Sequence, residues 1–293
     1  MIASNKLLPV ITIDKWHQFN MFALSLKLFA TCPYSLQISG RRKHRHSWAS
    51  TAAYACSIHS VDTISAPAFI AVDGPAACGK GTLAKSLALK FNLKHLDTGL
   101  LYRAIGYKAL QLSIPFDNKE WLVQLSSRLS SLDLSEPGLR SDDVATAASK
   151  ISIIPGVREA LNAYSRQFSS TMHPNSQGTI LDGRDVGTVL CPDAHVKLFL
   201  TASAEVRARR RLQELVLKGM LKEGDVDARD AMYERVLEDL KERDQRDTSR
   251  STAPLRAAED AHTLDTTHMS AVEVVTEAER IVMKACPWLK KEQ

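Results

Sequence analysis

From residue 66 onward the apolar residues fall into two alternating kinds of grouping. "APAFIAVDGP" is apolar from Ala66 to Val72 and turns at Gly74-Pro75, as a strand buried on both faces does. "KGTLAKSLALKF" follows, with apolar positions 83, 84, 87, 88 and 91 on one helical face. "KHLDTG" predicts a short strand, after which Asp97 or Thr98 can cap the helix "LLYRAIGYKALQL". "TILDG" (179–183), "HVKLFLTAS" (195–203) and "AHTLDTT" (261–267) predict three more strands, and "AVEVVTEAERIVMKA" a closing helix. Strands alternating with helices predict a three-layer α/β domain with a five-stranded parallel sheet. Ligands in such sheets sit at the carboxyl ends of the strands, where Asp73/Gly74, Asp97/Thr98 and Asp182 to Asp185 fall.

Two stretches break this rhythm. Residues 115–150 are polar and helical in pattern, and 204–250 are charged and helical with a break near Gly219 and Gly224. Both read as insertions projecting from the core. Charge separates off a third region, because residues 1–65 hold seven Lys/Arg against two acids, Asp14 and Asp62, out of 38 and 33 in the chain. The remainder is formally neutral despite the net +5, so it gives no expectation of a nucleic-acid partner. The extension reads as a disordered leader, a transit peptide, or a basic arm using "RRKHRH" (41–46), and composition leaves these open. Its apolar run, Met21 to Ala30, falls far short of the roughly 20 residues a membrane span needs. The five cysteines are scattered without metal-ligand spacing, which disfavours zinc and predicts a reducing compartment.

"GPAACGKGT" (74–82) carries the candidate chemistry. Gly74, Gly79 and Lys80 match the phosphate-loop pattern G-x-x-x-x-G-K-[ST], but Gly81 displaces the hydroxyl to Thr82. Backbone amides of Gly74, Pro75 (carbonyl only), Ala76, Ala77, Cys78, Gly79, Lys80, Gly81 and Thr82 form the expected ATP cradle, with the helix N-terminus adding positive potential. A GTPase also needs N-K-x-D, and the only near match, "NKEW" at Asn118, has Trp121 in the Asp position. "DTG" at Asp97 also suits an aspartic protease, but no second copy follows and the chain is helix-rich.

"IAVDGPAACGKGT", "LDTGLLYRA", "AASKISIIPGVREAL", "LDGRDVGTV", "ERDQRDTSR" and "APLRAAEDA" occur in an order that resembles the bacterial cytidylate kinases, from Ala66 to about Lys284. The resemblance implies a P-loop NTPase-type core, a monophosphate-binding insertion (about 115–150) and a helical lid (about 212–230). It implies transfer of the ATP γ-phosphoryl group to CMP or dCMP with Mg²⁺, in a cytoplasmic monomer acting on small molecules. The family usually carries an extra β-hairpin between Trp121 and Ser149, for which "SEPGLRSDD" is a shortened substitute, so affinity for CMP and rejection of UMP are the properties put in question.

An acceptor phosphate is already nucleophilic, so the reaction needs alignment and neutralisation of charge by Lys, Arg and Mg²⁺ rather than a base triad. By resemblance Lys80, Arg184, Arg243 and Arg250 are the catalytic cations. Thr98, Arg103, Ser149, Arg158, Arg184, Asp185, Arg243 and Asp247 bind the acceptor, with Asp185 at the cytosine edge and Asp247 at the ribose. A carboxylate suits cytosine because it accepts from the N4 amine that uracil lacks. Arg243, Asp247 and Arg250 lie at i, i+4 and i+7, one stripe of a helix. Of the cluster Arg207, Arg209, Arg210 and Arg211, Arg210 is expected to point inward and the others into solvent. Gly81 removes the usual metal-ligating side chain, so no direct side-chain ligand to Mg²⁺ is predicted. The alternatives are a kinase of the same fold preferring UMP or AMP, and a nucleic-acid-associated protein using the basic arm.

Overall fold

A computed structural model of the chain describes residues 66–171, 173–219 and 226–292. The extension 1–65 and the middle of the expected lid, 220–225, lie outside the described residues. Five strands stand where the apolar runs predict them: β1 (Ala68–Asp73), β2 (Leu93–Asp97), β3 (Gly178–Gly183), β4 (Val196–Thr201) and β5 (His262–Asp265). They form one sheet in the order β2-β3-β1-β4-β5, with every pair parallel. The register brings Asp73 opposite Gly183, and Asp97 opposite Asp182, at the carboxyl edge.

The helices are α1 (Lys80–Lys90), α2 (Thr98–Gln111), α3 (Lys119–Ser127), α4 (Asp142–Ile151), α5 (Pro155–Ser170), α6 (Ala204–Leu217), α7 (Val226–Ser249) and α8 (Ala271–Ala285). Alternation along β1 sends Ile70 and Val72 to one face and Ala71 to the other. The first face packs with Leu83 and Leu87 of α1 and Ala278 and Val282 of α8. The second packs with Leu101 and Ile105 of α2, Leu122 of α3, and Val157 and Leu161 of α5. Three layers result, and every strand end that meets the phosphate loop is anchored from both sides.

Asp97, rather than Thr98, caps α2, accepting from Leu100 N at 3.2 Å. The insertion 115–150 contributes α3, two 3₁₀ turns (Ser131–Ser135 and Pro137–Arg140) and α4, with no strand assigned within it. Asn118, the start of the false GTPase motif, caps α3 by accepting from Trp121 N at 3.3 Å. Helix α5 was not separated out by the apolar pattern, yet it begins with Pro155, whose fixed φ suits the first helical turn. A single π-turn, Val186–Leu190, directly follows "DGRD". Helices α6 and α7 pack through a small apolar cluster, Ala208, Leu215, Val236 and Leu240, which also holds Ala76 of the phosphate loop.

Candidate active site

Between the phosphate loop, the ends of β2 and β3, and helices α2, α4, α6 and α7 lies a cleft of about 330 Å³. The loop forms one wall. Gly74 has φ 146°, and a Cβ there would overlap the carbonyl of Leu200, so glycine alone fits. Gly79, at φ 96°, is the N-cap of α1, and Ala77 takes a left-handed φ of 57° that costs an L-residue about 1 kcal/mol. Buried Cys78 donates its thiol to Pro75 O at 3.2 Å. Lys80 Nζ donates to the same carbonyl at 2.5 Å, which folds the side chain over the loop. Burial, then the nearby Arg184 charge, lowers the Lys80 pKa from its ordinary value.

A Cβ on Gly81 would lie 3.6 Å from Asp182 Oδ2, so the position that lacks a hydroxyl faces a carboxylate. Asp182 Oδ1 lies 2.7 Å from His95 Nε2, and the Asp182 carbonyl accepts from Thr98 Oγ1 at 2.9 Å. Burial and the charge of Asp182 raise the pKa of Asp97 beside it.

The opposite wall is cationic. Arg103 lines the cleft and donates to the carbonyls of Leu139 (2.9 Å) and Ser141 (3.3 Å), tying α2 to the start of α4. Arg184 donates to Asp247 Oδ2 at 2.9 Å. Burial opposes the Arg184 charge, but Asp247 outweighs it and holds the guanidinium above its usual pKa. Arg243 is half-buried near Arg184 with its buried Nε unpartnered, and desolvation followed by that neighbour pushes its pKa down to about 9. The Ser149 hydroxyl, also in the cleft wall, is buried without a partner. Behind the wall, Arg158 is ion-paired with Asp185, whose Oδ1 lies 3.6 Å from Arg250 Nη2.

Of the sequence-derived residues, Ala76, Ala77, Lys80, Gly81, Arg103, Ser149, Arg184 and Arg243 line the cleft. Gly74, Pro75, Cys78, Gly79, Thr82, Thr98, Arg158, Asp185, Asp247 and Arg250 support it from outside its wall. The reading of the α6 arginines needs correction. Arg210 turns to the β5–α8 connection, donating to Thr266 Oγ1 (2.9 Å) and O (2.6 Å). Arg207 is buried, bound to Ala202 O, Ala76 O and Asp244, and only Arg209 is exposed as expected. Arg211 is the one that lines the cleft, bridging Asp142 (2.7 Å) and Glu214 (2.9 Å). Four arginines within five helical positions, three of them in a row, carry too little contrast for the sequence to say which face packs. Arg140 and Arg246 also line the cleft and were missed. Arg140 sits in the polar stretch that offers no periodicity, whereas Arg246 is three residues beyond Arg243 and the helical spacing could have found it.

A doubly wound parallel sheet, a lysine-bearing phosphate loop and facing arginines define a P-loop phosphotransferase. Comparison with known proteins narrows the class. The family model described as "Cytidylate kinase" matches residues 70–284. The cytidylate kinase of Paramagnetospirillum magneticum is 47% identical over 213 residues, covering 73% of this chain and 96% of that protein. That of Brucella ovis is 44% identical over 217 residues, covering 74% and 93%. The chain belongs to the cytidylate kinase family and is a kinase.

Proposed function

We propose that the protein transfers the γ-phosphoryl group of ATP to CMP and dCMP, yielding ADP with CDP or dCDP. A phosphate oxygen of the acceptor bonds to the γ-phosphorus while the bond from that phosphorus to the β–γ bridging oxygen breaks. The observation that carries this reading is the convergence of Lys80, Arg184 and Arg243 on the cleft: one carboxylate, Asp247, pairs with Arg184, and the buried Arg243 Nε has no hydrogen-bond partner. Spreading phosphoryl charge is the complement of such a site. Lys80 serves the β/γ-phosphates, Arg243 the transferring group, and Arg184, Arg103 and Arg250 the acceptor phosphate, from which Arg184 also meets the charge spreading during transfer; Arg250 Nη2 is buried without a hydrogen-bond partner. Asp247 holds Arg184 in place and is available to the acceptor ribose. Asp185 Oδ1 and the unpartnered Ser149 hydroxyl are the groups assigned to the cytosine edge, with Arg158 locking the Asp185 carboxylate.

No cluster of metal-ligating side chains stands in the cleft among the described residues, so Mg²⁺ would be held chiefly by the nucleotide phosphates and water, with the Asp182 carboxylate, which faces Gly81 and is backed by His95, near enough to orient that water. When present, the ion would supply neutralisation of the phosphate charge. The reading makes the protein a cytoplasmic monomer whose partners are small nucleotides, with no nucleic acid bound by residues 66–293. No helix among the described residues is long and apolar enough to cross a membrane. A coupled assay for ADP with CMP, dCMP, UMP and AMP tests the function. CMP and dCMP should turn over fastest, and turnover of AMP or UMP alone would replace the assignment with another monophosphate kinase.

A further inference from the structure

Asp73 is a buried acid that the chemistry above does not use. It ends β1, immediately before the phosphate loop, and lies outside the cleft wall. Its two oxygens instead receive two backbone amides from a different segment: Val186 N donates to Oδ1 at 2.8 Å and Gly187 N to Oδ2 at 2.7 Å. These are the first two amides of the π-turn Val186–Leu190, and no side-chain cap comes from its own N-cap residue, Asp185. First-turn amides find no partner within their own helix, so a buried turn needs an acceptor from elsewhere. Asp73 is that acceptor, delivered across the sheet by strand pairing.

The fit is close on every side. A Cβ on Gly187 would stand 3.4 Å from Asp73 Oδ2 and 3.2 Å from Lys197 Cδ, and Lys197 is itself fastened to Asp260 at 2.8 Å. The turn therefore has one seat, and Arg184 and Asp185 are the two residues immediately before it. We infer that Asp73 is a positioning residue: its carboxylate fixes the Asp185–Gly187 turn, and so sets where Arg184 and Asp185 stand relative to the phosphate loop. One side chain thereby couples the donor cradle to the acceptor-binding residues. The inference rests on the reading of Arg184 and Asp185 as the acceptor pair.

The ionised form serves both amides best, because protonation weakens one oxygen as an acceptor and a carboxamide replaces it with an N–H₂ donor that would meet one of the two N–H groups. Burial pushes the Asp73 carboxyl up to about 6, against the opposing pull of the two amides. Facing it are Asp185 and Cys191 from the turn, Lys80 from α1 and Lys197 from β4. Between 3.8 and about 6 the folded chain binds a proton that the unfolded chain does not, so stability falls as pH rises through that window. At neutral pH the charge is thus kept against the interest of the fold, as expected of a group retained for the site.

The test is steady-state kinetics of Asp73→Asn with each substrate varied in turn, beside Asp185→Ala. Asp73→Asn should raise KM for CMP about tenfold or more and erode the preference for CMP over UMP, leaving KM for ATP within twofold. Equal loss toward both substrates, or no change, overturns the inference. Gly187→Ala keeps every hydrogen-bonding group while crowding the turn, and it should shift KM for CMP in the same selective way. If Asp73→Asn does not fold, that variant decides, and an unselective or absent effect there is equally fatal. If Asp185→Ala alters CMP recognition and neither other variant does, the positioning role fails while the acceptor reading stands. If Asp185→Ala changes nothing, the acceptor reading fails and the inference with it.

Discussion

The two halves of the cleft are built to different standards. The phosphate loop rises from the centre of the sheet, between two apolar clusters that include Ile70, Val72 and Leu83 on one face and Ala71, Leu101 and Leu181 on the other. Its lysine is already engaged with Pro75 O. The α6–α7 arm, in contrast, rests on five buried apolar residues and on ion pairs such as Arg207–Asp244. Its Arg243 has an unpartnered Nε and lies against Arg184. The phosphate loop is therefore held in shape before any ligand arrives, whereas the arm brings Arg243 beside Arg184, a like-charge approach that a bound anion would relieve.

Removing the central charges should have the largest effect. Lys80→Ala, Arg184→Ala and Arg243→Ala should each cut kcat by about a hundredfold or more, the scale of a lost transition-state donor. Single-turnover rates measure this directly, and near-normal rates in all three would mean the charges are misplaced. The contrast between the halves is sharpened by stability. The folded chain holds the Arg243 proton only to about 9, the unfolded chain to the ordinary arginine value, which is higher. Stability therefore rises with pH between those limits, and at neutral pH the charge opposes folding in full. Arg243→Leu should accordingly raise the ligand-free melting temperature by about 2–4 °C, the shift that about 1 kcal/mol gives a domain of this size. Lys80→Leu should give a smaller gain, because burial and Arg184 lower its pKa in the same direction but its bond to Pro75 O is lost with the charge. A drop in both melting curves would erase the distinction. The smallest effect is expected at the Arg211–Asp142 pair, where the Asp142 side chain is 72% exposed. Asp142→Ala should change KM for the acceptor by no more than about threefold, as a loss below about 1 kcal/mol dictates.

Much of the sheet half was legible in the sequence. β1, β3 and β4 are mostly apolar runs that end at or next to Asp73, Asp182 and Thr201, and "GPAACGKGT" announces its own geometry through Gly74, Gly79 and Lys80. The arm half was less so. Which α6 arginine enters the cleft depends on how α6 sits on α7, through contacts such as Ala208 with Val236 and Leu240 that no local period encodes. The π-turn was hidden because "VGTVL" is an apolar run that reads as readily as a strand. Asp73 looked like an ordinary strand end until pairing with β3 brought it beside Val186 and Gly187.

The acceptor side is where the account is most exposed, and its selectivity gives the most direct measurement. Initial rates with CMP and UMP, at matched ATP, should be compared for the unaltered protein and for Asp185→Ala. The unaltered protein should prefer CMP in kcat/KM, and the variant should lose about 1–3 kcal/mol of that preference, the worth of a well-placed contact to a base edge. A preference for CMP that survives Asp185→Ala unchanged would contradict the account.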